Sequence, residues 1–260
     1  MLDSLEIILC KSVSDNNESQ EEYIQYLQSA GYSCYVLPTL CFEFVNLEDL
    51  QNRLSKPYLY SGLILTSARS VEAIKNATKQ NIPDTWKKLP AYCVGPTTES
   101  LARSNLKLEA CEGSHCGNSK NLAEYIIKQP DEKTDKPLLY PCSVIARDTL
   151  DKILISNNIK LEKIIVYKTL PSQTLRSDLK RLIKPMNQIF VFFSPSTVEY
   201  LLNAAKESSI SLTSIKSVAI GPVTGEALTE AGLTVFAIAE KPEPCALLEA
   251  VKKVEIKMND

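Results

Sequence analysis

Short apolar runs alternate along this chain with longer amphipathic stretches, and that alternation predicts strands interleaved with helices. Leu5-Glu6-Ile7-Ile8-Leu9-Cys10 predicts a strand, and residues 19–30 predict a helix with Tyr23, Tyr26 and Leu27 on one face. Gly31 then ends the helix and residues 33–37 predict the next strand. A related pattern returns in Leu138-Leu139-Tyr140 (strand), residues 147–156 (helix) and residues 161–167 (strand).

Two further blocks carry one phrase in duplicate. Leu63-Ile64-Leu65-Thr66-Ser67-Ala68-Arg69-Ser70-Val71-Glu72 leads to Val94-Gly95-Pro96-Thr97-Thr98. Phe190-Val191-Phe192-Phe193-Ser194-Pro195-Ser196-Thr197-Val198-Glu199 leads, at nearly the same interval, to Ile220-Gly221-Pro222-Val223-Thr224. Each reads as a strand, a hydroxyl-rich turn and a helix start. The order is therefore A, B, A′, B′, with the phrase in B and B′. Strands separated by helices imply parallel sheets covered by helices, hence two α/β domains. Periodicity leaves open whether A pairs with B or with B′. Polar or proline-bearing stretches at 38–48, 129–136 and 169–173 mark candidate connections, and the acidic segment 12–20 predicts a surface loop.

The paired turns are the candidate binding elements. Free amides at helix N-termini attract anions. Glycine lets a ligand approach the backbone, which suits Gly95 and Gly221, and Pro96 and Pro222 suit a first helical turn. Strand-to-helix punctuation accounts for the same residues without a ligand. Ser196-x-x-Glu199 matches a capping box, which explains Ser196 structurally. Arg69, at the corresponding place in the first copy, either meets a carboxylate ligand or pairs with Glu72.

Composition narrows the function. The chain has 260 residues, 44% hydrophobic and 23% charged, with a net charge of −2, which argues against a non-specific nucleic-acid binder. No apolar run approaches the ~20 residues of a membrane span, and the N-terminus lacks a signal-peptide pattern. Of the eight cysteines, Cys10, Cys34, Cys93 and Cys142 fall in or beside strand-like runs. There is no CxxC pair, and Cys111 and Cys116 around His115 lack a fourth ligand, so reduced cytosolic thiols are the expectation. Phosphate-loop, dinucleotide, zinc-protease and nucleophile-elbow motifs are all absent. With one histidine, any catalysis would depend on holding a reactive anionic substrate in shape. The competing reading is a cytosolic two-domain protein that binds a small anion without catalysis; an exported binding protein is disfavoured.

At this point the residues resemble the uroporphyrinogen-III synthase family, in its eukaryotic form. The matching stretches are Leu37-Pro38 with Phe42-Glu43-Phe44, Gly62 to Ser67 with Val71-Glu72, and Val94-Gly95 with Thr98. Further matches are Cys116-Gly117-Asn118 with Leu122-Ala123-Glu124-Tyr125, Val166-Tyr167, Phe192 to Ser196, and Ala219 to Pro222. The resemblance implies two parallel-sheet, flavodoxin-like α/β domains joined by a two-stranded linker, with substrate in the cleft between. One domain is discontinuous (1–39 and 172–260), the other spans 56–156, and the linker strands are 40–55 and 157–171.

The resemblance also implies a reaction: closure of hydroxymethylbilane to uroporphyrinogen III with inversion of ring D and loss of water, in haem biosynthesis, without metal or cofactor. Tyr167 is then the candidate catalytic residue, because a phenol keeps its proton at neutral pH and can donate to the departing hydroxyl. Thr66, Ser67, Thr98, Ser194, Ser196 and Thr224 align with cleft-lining hydroxyls. Arg69, Arg147 and Lys216 are candidate carboxylate partners, and Gly95, Thr97, Pro195, Gly221 and Pro222 complete the substrate-binding set. Where bacterial members often carry Arg-Gly, this chain has Cys142-Ser143. The expected partner is the linear tetrapyrrole, handed over by the preceding pathway enzyme to a cytosolic monomer, with no nucleic acid and no membrane.

Overall fold

The structure, a computed structural model, describes residues 5–12, 18–79, 81–129, 135–184, 187–213 and 215–259. Parts of the segments expected as loops at 12–20 and 129–136 lie outside the described residues. The described strands are β1 Glu6–Lys11, β2 Ser33–Pro38, β3 Leu40–Phe44, β4 Gly62–Leu65, β5 Ala91–Cys93, β6 Cys111–Glu112, β7 Leu138–Ser143, β8 Leu161–Pro171, β9 Gln188–Phe192, β10 Lys216–Ala219 and β11 Val235–Ile238. They form two sheets. The chain divides into two compact units, Met1–Cys41 with Leu170–Asp260, and Phe42–Thr169. Among the described residues no helix is long and apolar enough to cross a membrane.

The first unit holds a five-stranded parallel sheet, ordered β11-β10-β9-β1-β2. Leu9 in its middle pairs with Val36 on one side and Val191 on the other. Successive residues face opposite cores: Ile7, Leu9, Ile189 and Val191 pack with Leu27, Leu247 and Val251, while Ile8, Phe190 and Phe192 pack with Leu179, Leu201 and Leu228. A parallel sheet buried on both faces needs unbroken apolar runs, which explains why these strands do not alternate with polar residues. Each such side chain contributes about 1.5–3 kcal/mol on burial.

The second unit holds a six-stranded sheet ordered β3-β8-β7-β4-β5-β6, parallel from β8 to β6. Leu63, Leu65, Leu139 and Cys93 face one core with Leu50, Leu54, Ile74 and Trp86. Ile64, Tyr92, Leu138 and Tyr140 face the other with Leu122, Ile126, Leu150 and Leu154. The Trp86 indole N–H donates to the Leu54 carbonyl at 2.7 Å, so its polar edge is satisfied in that core.

Pairing resolves what periodicity left open: β1 lies beside β9, the strand of the second copy, and β4, of the first copy, lies beside β7. In each sheet the chain winds outward one way and then the other. The order reverses between β1 and β9 in one sheet and between β4 and β7 in the other, which leaves a crevice at the carboxyl edge.

Two expectations need correction. Residues 40–55 are not one extended strand, because Leu47–Leu54 is a helix. Glu48 and Asp49 in its first turn and Arg53 in its last complement the dipole, and Leu50 and Leu54, four apart, are both buried. In the helix Glu18–Ser29, Tyr23 and Leu27 are buried but Tyr26 is 45% exposed, so the apolar stripe is narrower than expected. Gly31 does end this helix, at φ +93°, with the Tyr32 amide returning to the Leu27 carbonyl.

Candidate functional site

The duplicated phrase folds the same way twice. Ser67 follows β4 and caps the helix Ala68–Ala77, its Oγ accepting the Ser70 amide at 3.1 Å. Ser194 follows β9 and caps the helix Pro195–Glu207. There Ser194 Oγ accepts the Thr197 amide while Thr197 Oγ1 accepts the Ser194 amide, at 3.4 and 3.3 Å. The capping box is therefore Ser194–Thr197, not Ser196–Glu199. Pro195 sets the first helical position, which makes the residue before it the cap. Ser196 is left one turn-position further on with its hydroxyl uncommitted among the described residues. Gly95 and Gly221 occupy matching cap positions before Pro96 and Pro222, with extended backbone (φ −159° and −175°). A Cβ at either glycine would meet nothing within 4 Å. Neither packing nor conformation demands glycine there.

In the second unit the carboxyl edge opens into a cavity of about 720 Å³ at the β4–β7 crevice. Its wall includes Thr66, Tyr140, Ser143, Arg147, Tyr167, Asn118 and Lys120. Tyr167, 9% exposed on β8, donates its hydroxyl to Ser67 Oγ at 3.0 Å. Its ring meets Phe42 edge-on at 6.1 Å. Tyr140, on β7, shares a hydrogen bond with Thr66 Oγ1 at 3.3 Å, and burial pushes its phenol up to about 12. The site is thus a set of neutral hydroxyl donors with cations at the rim.

Arg69 has its answer inside the unit. Its guanidinium binds both carboxylate oxygens of Glu72 at 2.6 Å and lies 4.2 Å over the Phe42 ring. The Glu72 alternative is the one realised in this structure, and Arg69 shapes the Phe42 wall. Such a partly buried pair with a stacked ring contributes about 1 kcal/mol.

Arg147 is exposed on the loop after β7, and that loop is pinned at both ends. The Val144 amide donates to the Tyr167 carbonyl at 3.1 Å. At the other end Lys163 on β8 binds Asp148 at 3.2 Å and Asp151 at 2.7 Å. Burial alone would push the Lys163 ammonium down, but these two carboxylates hold it above the usual lysine range. The loop presents Ile145, 67% exposed, and Arg147 to the cavity from a fixed frame.

In the first unit, Ser194, Pro195, Ser196, Gly221, Pro222 and Thr224 gather at the carboxyl ends of the adjacent strands β9 and β10. Lys216 does not join them. It is the first residue of β10, at the opposite end of the strand from Gly221. Thr98 and Thr224 are buried under their helix starts, whereas Thr97 is exposed.

Three contributors escaped the sequence. Tyr140 is legible in the sequence only as part of an apolar strand; it sits within β7 and lines the cavity. Asn118 caps the helix Ser119–Ile127 through the Asn121 amide, which brings Lys120 to the cavity. Lys11 ends β1 at the other crevice. In the Cys111–His115–Cys116 stretch, His115 meets Tyr125 edge-on at 5.2 Å, and all eight cysteines are free thiols.

Comparison with known proteins agrees with this architecture. The HEM4 family model, uroporphyrinogen-III synthase HemD, matches residues 21–249. The chain is 28% identical over 239 residues to the uroporphyrinogen-III synthase of Schizosaccharomyces pombe, covering 89% of this chain and 91% of that protein. It is 29% identical over 208 residues to that of Saccharomyces cerevisiae, covering 73% and 74%. In fold it is similar to uroporphyrinogen-III synthetase from Helicobacter pylori, with a TM-score of 0.67 at 22% identity over 96% of this chain and 99% of the other. With the family model matched across most of its length, the chain belongs to the uroporphyrinogen-III synthase family, enzymes of the lyase class.

Proposed function

We propose that this protein closes hydroxymethylbilane to uroporphyrinogen III, turning ring D over and releasing water. The observation that carries the reading is the Tyr167 hydroxyl in the wall of the β4–β7 cavity, 3.0 Å from Ser67. The substrate's hydroxymethyl C–O bond breaks as the pyrrole nitrogen pushes electron density toward it. The departing hydroxyl takes a proton and leaves as water. Tyr167, turning from Ser67 to the substrate, donates the hydrogen bond that assists this departure, and Ser67 then stays capped through Ser70. The cation left behind is attacked through the substituted carbon of ring D, giving a spiro intermediate that reopens and recloses with the ring inverted. A proton lost from the ring carbon completes the balance.

Unassisted closure gives the non-inverted isomer, so the enzyme's task is orientation more than proton transfer. Tyr140, Thr66 and Ser143 supply neutral polar contacts, and Arg147 and Lys120 supply charge for some of the substrate's eight carboxylates. Bare amides at Gly95 and Gly221, with Thr97, Ser194, Ser196 and Thr224 nearby in their own turns, supply others. No metal or cofactor is needed for these steps. We place the enzyme in the cytosol, as its unpaired thiols suit a reducing compartment. It acts as a monomer that receives its substrate from the preceding enzyme.

Incubation of the protein with hydroxymethylbilane, followed by separation of the oxidised products by isomer, tests this. The type III isomer at a rate above spontaneous closure is expected. Type I alone, at the spontaneous rate, would overturn it in favour of a binding protein.

A further inference from the structure

Lys11 is the last residue of β1, at the carboxyl edge where the first unit's strand order reverses. Cys10 stands opposite Phe192 on β9, which puts Lys11 level with Phe193 and next to the Ser194 turn. Its Nζ lies 4.9 Å from the Phe193 ring centroid and 5.4 Å from that of Tyr23, and the two rings meet edge-on at 5.1 Å. The Tyr23 hydroxyl points away, donating to the Pro242 carbonyl at 2.6 Å.

Lys11 has no acid partner among the described residues. Lys163, also partly buried, binds Asp148 and Asp151. Among the described residues no carboxylate pairs with Lys11, and burial pulls its ammonium below the usual lysine range. Removing a cation from water without a counter-charge costs stability, and two ring faces compensate only in part. Lys11 stands at the carboxyl end of β1, the edge at which open α/β sheets bind ligands.

We infer that Lys11 binds a carboxylate of the substrate, at a subsite formed by the β1–β9 crevice of the first unit. The inference rests on the proposed tetrapyrrole reaction only for the ligand's identity; an anion held at this lysine is its chemical content.

The test compares Lys11→Met and Lys11→Arg with the unaltered full chain. For Lys11→Met the KM for hydroxymethylbilane should rise about tenfold, equivalent to roughly 1.4 kcal/mol of binding. Its kcat should change less than about threefold and the product should remain type III. Lys11→Arg should recover most of the affinity. The thermal midpoint of Lys11→Met should stay level or rise, because an uncompensated charge is gone. A lower midpoint with unchanged KM would make Lys11 a structural stacking residue and overturn the inference. Calorimetric titration with uroporphyrin, an octacarboxylate, reads the same contact without turnover, so it stands even where the reaction itself fails. Equal affinity for the Met and Lys forms would overturn it.

Discussion

Tyr167 and Ser67, 100 residues apart, meet in one hydrogen bond of 3.0 Å, with Ser67 Oγ also receiving the Ser70 amide at 3.1 Å. Two donors thus converge on one oxygen, joining β8 to a helix start at the wall of the cavity. Tyr167→Phe removes one donor and leaves the cap. Turnover should fall by ~10-fold or more, the size of a lost hydrogen bond of roughly 1.5–3 kcal/mol in the transition state. The thermal midpoint should move by no more than about 4 °C. Single-turnover kinetics with isomer analysis measures the first and a melting curve the second. Full activity in the variant would remove Tyr167 from the chemistry.

The glycines divide into two kinds, and substitution should separate them. A Cβ on Gly62 would lie 2.5 Å from the Pro90 carbonyl oxygen, which is itself fixed by the Leu63 amide at 2.8 Å. Gly62→Ala should therefore destabilise the fold by about 1–3 kcal/mol with KM unchanged for the folded fraction. Gly95→Ala and Gly221→Ala add a methyl into open space on extended backbone. Both should melt like the parent yet raise KM severalfold, because in the proposed binding mode the methyl would stand between substrate and the amides. Normal KM in both would mean these glycines only punctuate the strand–helix turns.

Tyr140 makes stability pH-dependent at the alkaline end. Burial raises its phenol from 10.0 to about 12, only partly offset by the bond to Thr66. The folded state therefore favours the protonated phenol. That contribution is whole below pH 10 and is lost as the pH rises to about 12, up to ~2–3 kcal/mol for this residue. Urea midpoints between pH 9 and 12 should fall more steeply for the parent than for Tyr140→Phe. Parallel curves would show that Tyr140 ionises as freely folded as unfolded.

Much of the α/β pattern was legible in sequence because it depends on near neighbours. Gly31 and the proline-led helix starts each act within a few residues, and the apolar runs of β1 and β9 announce burial on both faces. Errors arose where the deciding partner was distant or the local signals competed. Ser196-x-x-Glu199 matched a cap by spacing, but Pro195 moved the cap to Ser194. Residues 47–54 fall inside the linker strand that the family resemblance implies, although Leu50 and Leu54 carry a helical spacing. Arg69 looked unexplained until Phe42 was found beneath it. Lys216 looked close to Gly221 along the chain, yet a strand separates their ends. Lys11 gave no signal at all, since its surroundings come from Phe193 far downstream.

The pairing of β1 with β9 has a consequence for synthesis. Glu6–Lys11 leaves the ribosome long before Gln188–Phe192 exists, a wait of roughly 10–40 s at ordinary elongation rates. Until then its one available sheet neighbour is β2, and two strands alone make an unstable pair. The strands from β4 to β8 meanwhile have every partner they need in the emerged segment. A nascent chain stalled in that interval would pair a finished lobe with a bare, sticky Ile7-Ile8-Leu9 ribbon, a natural client for chaperones and a first target for quality control.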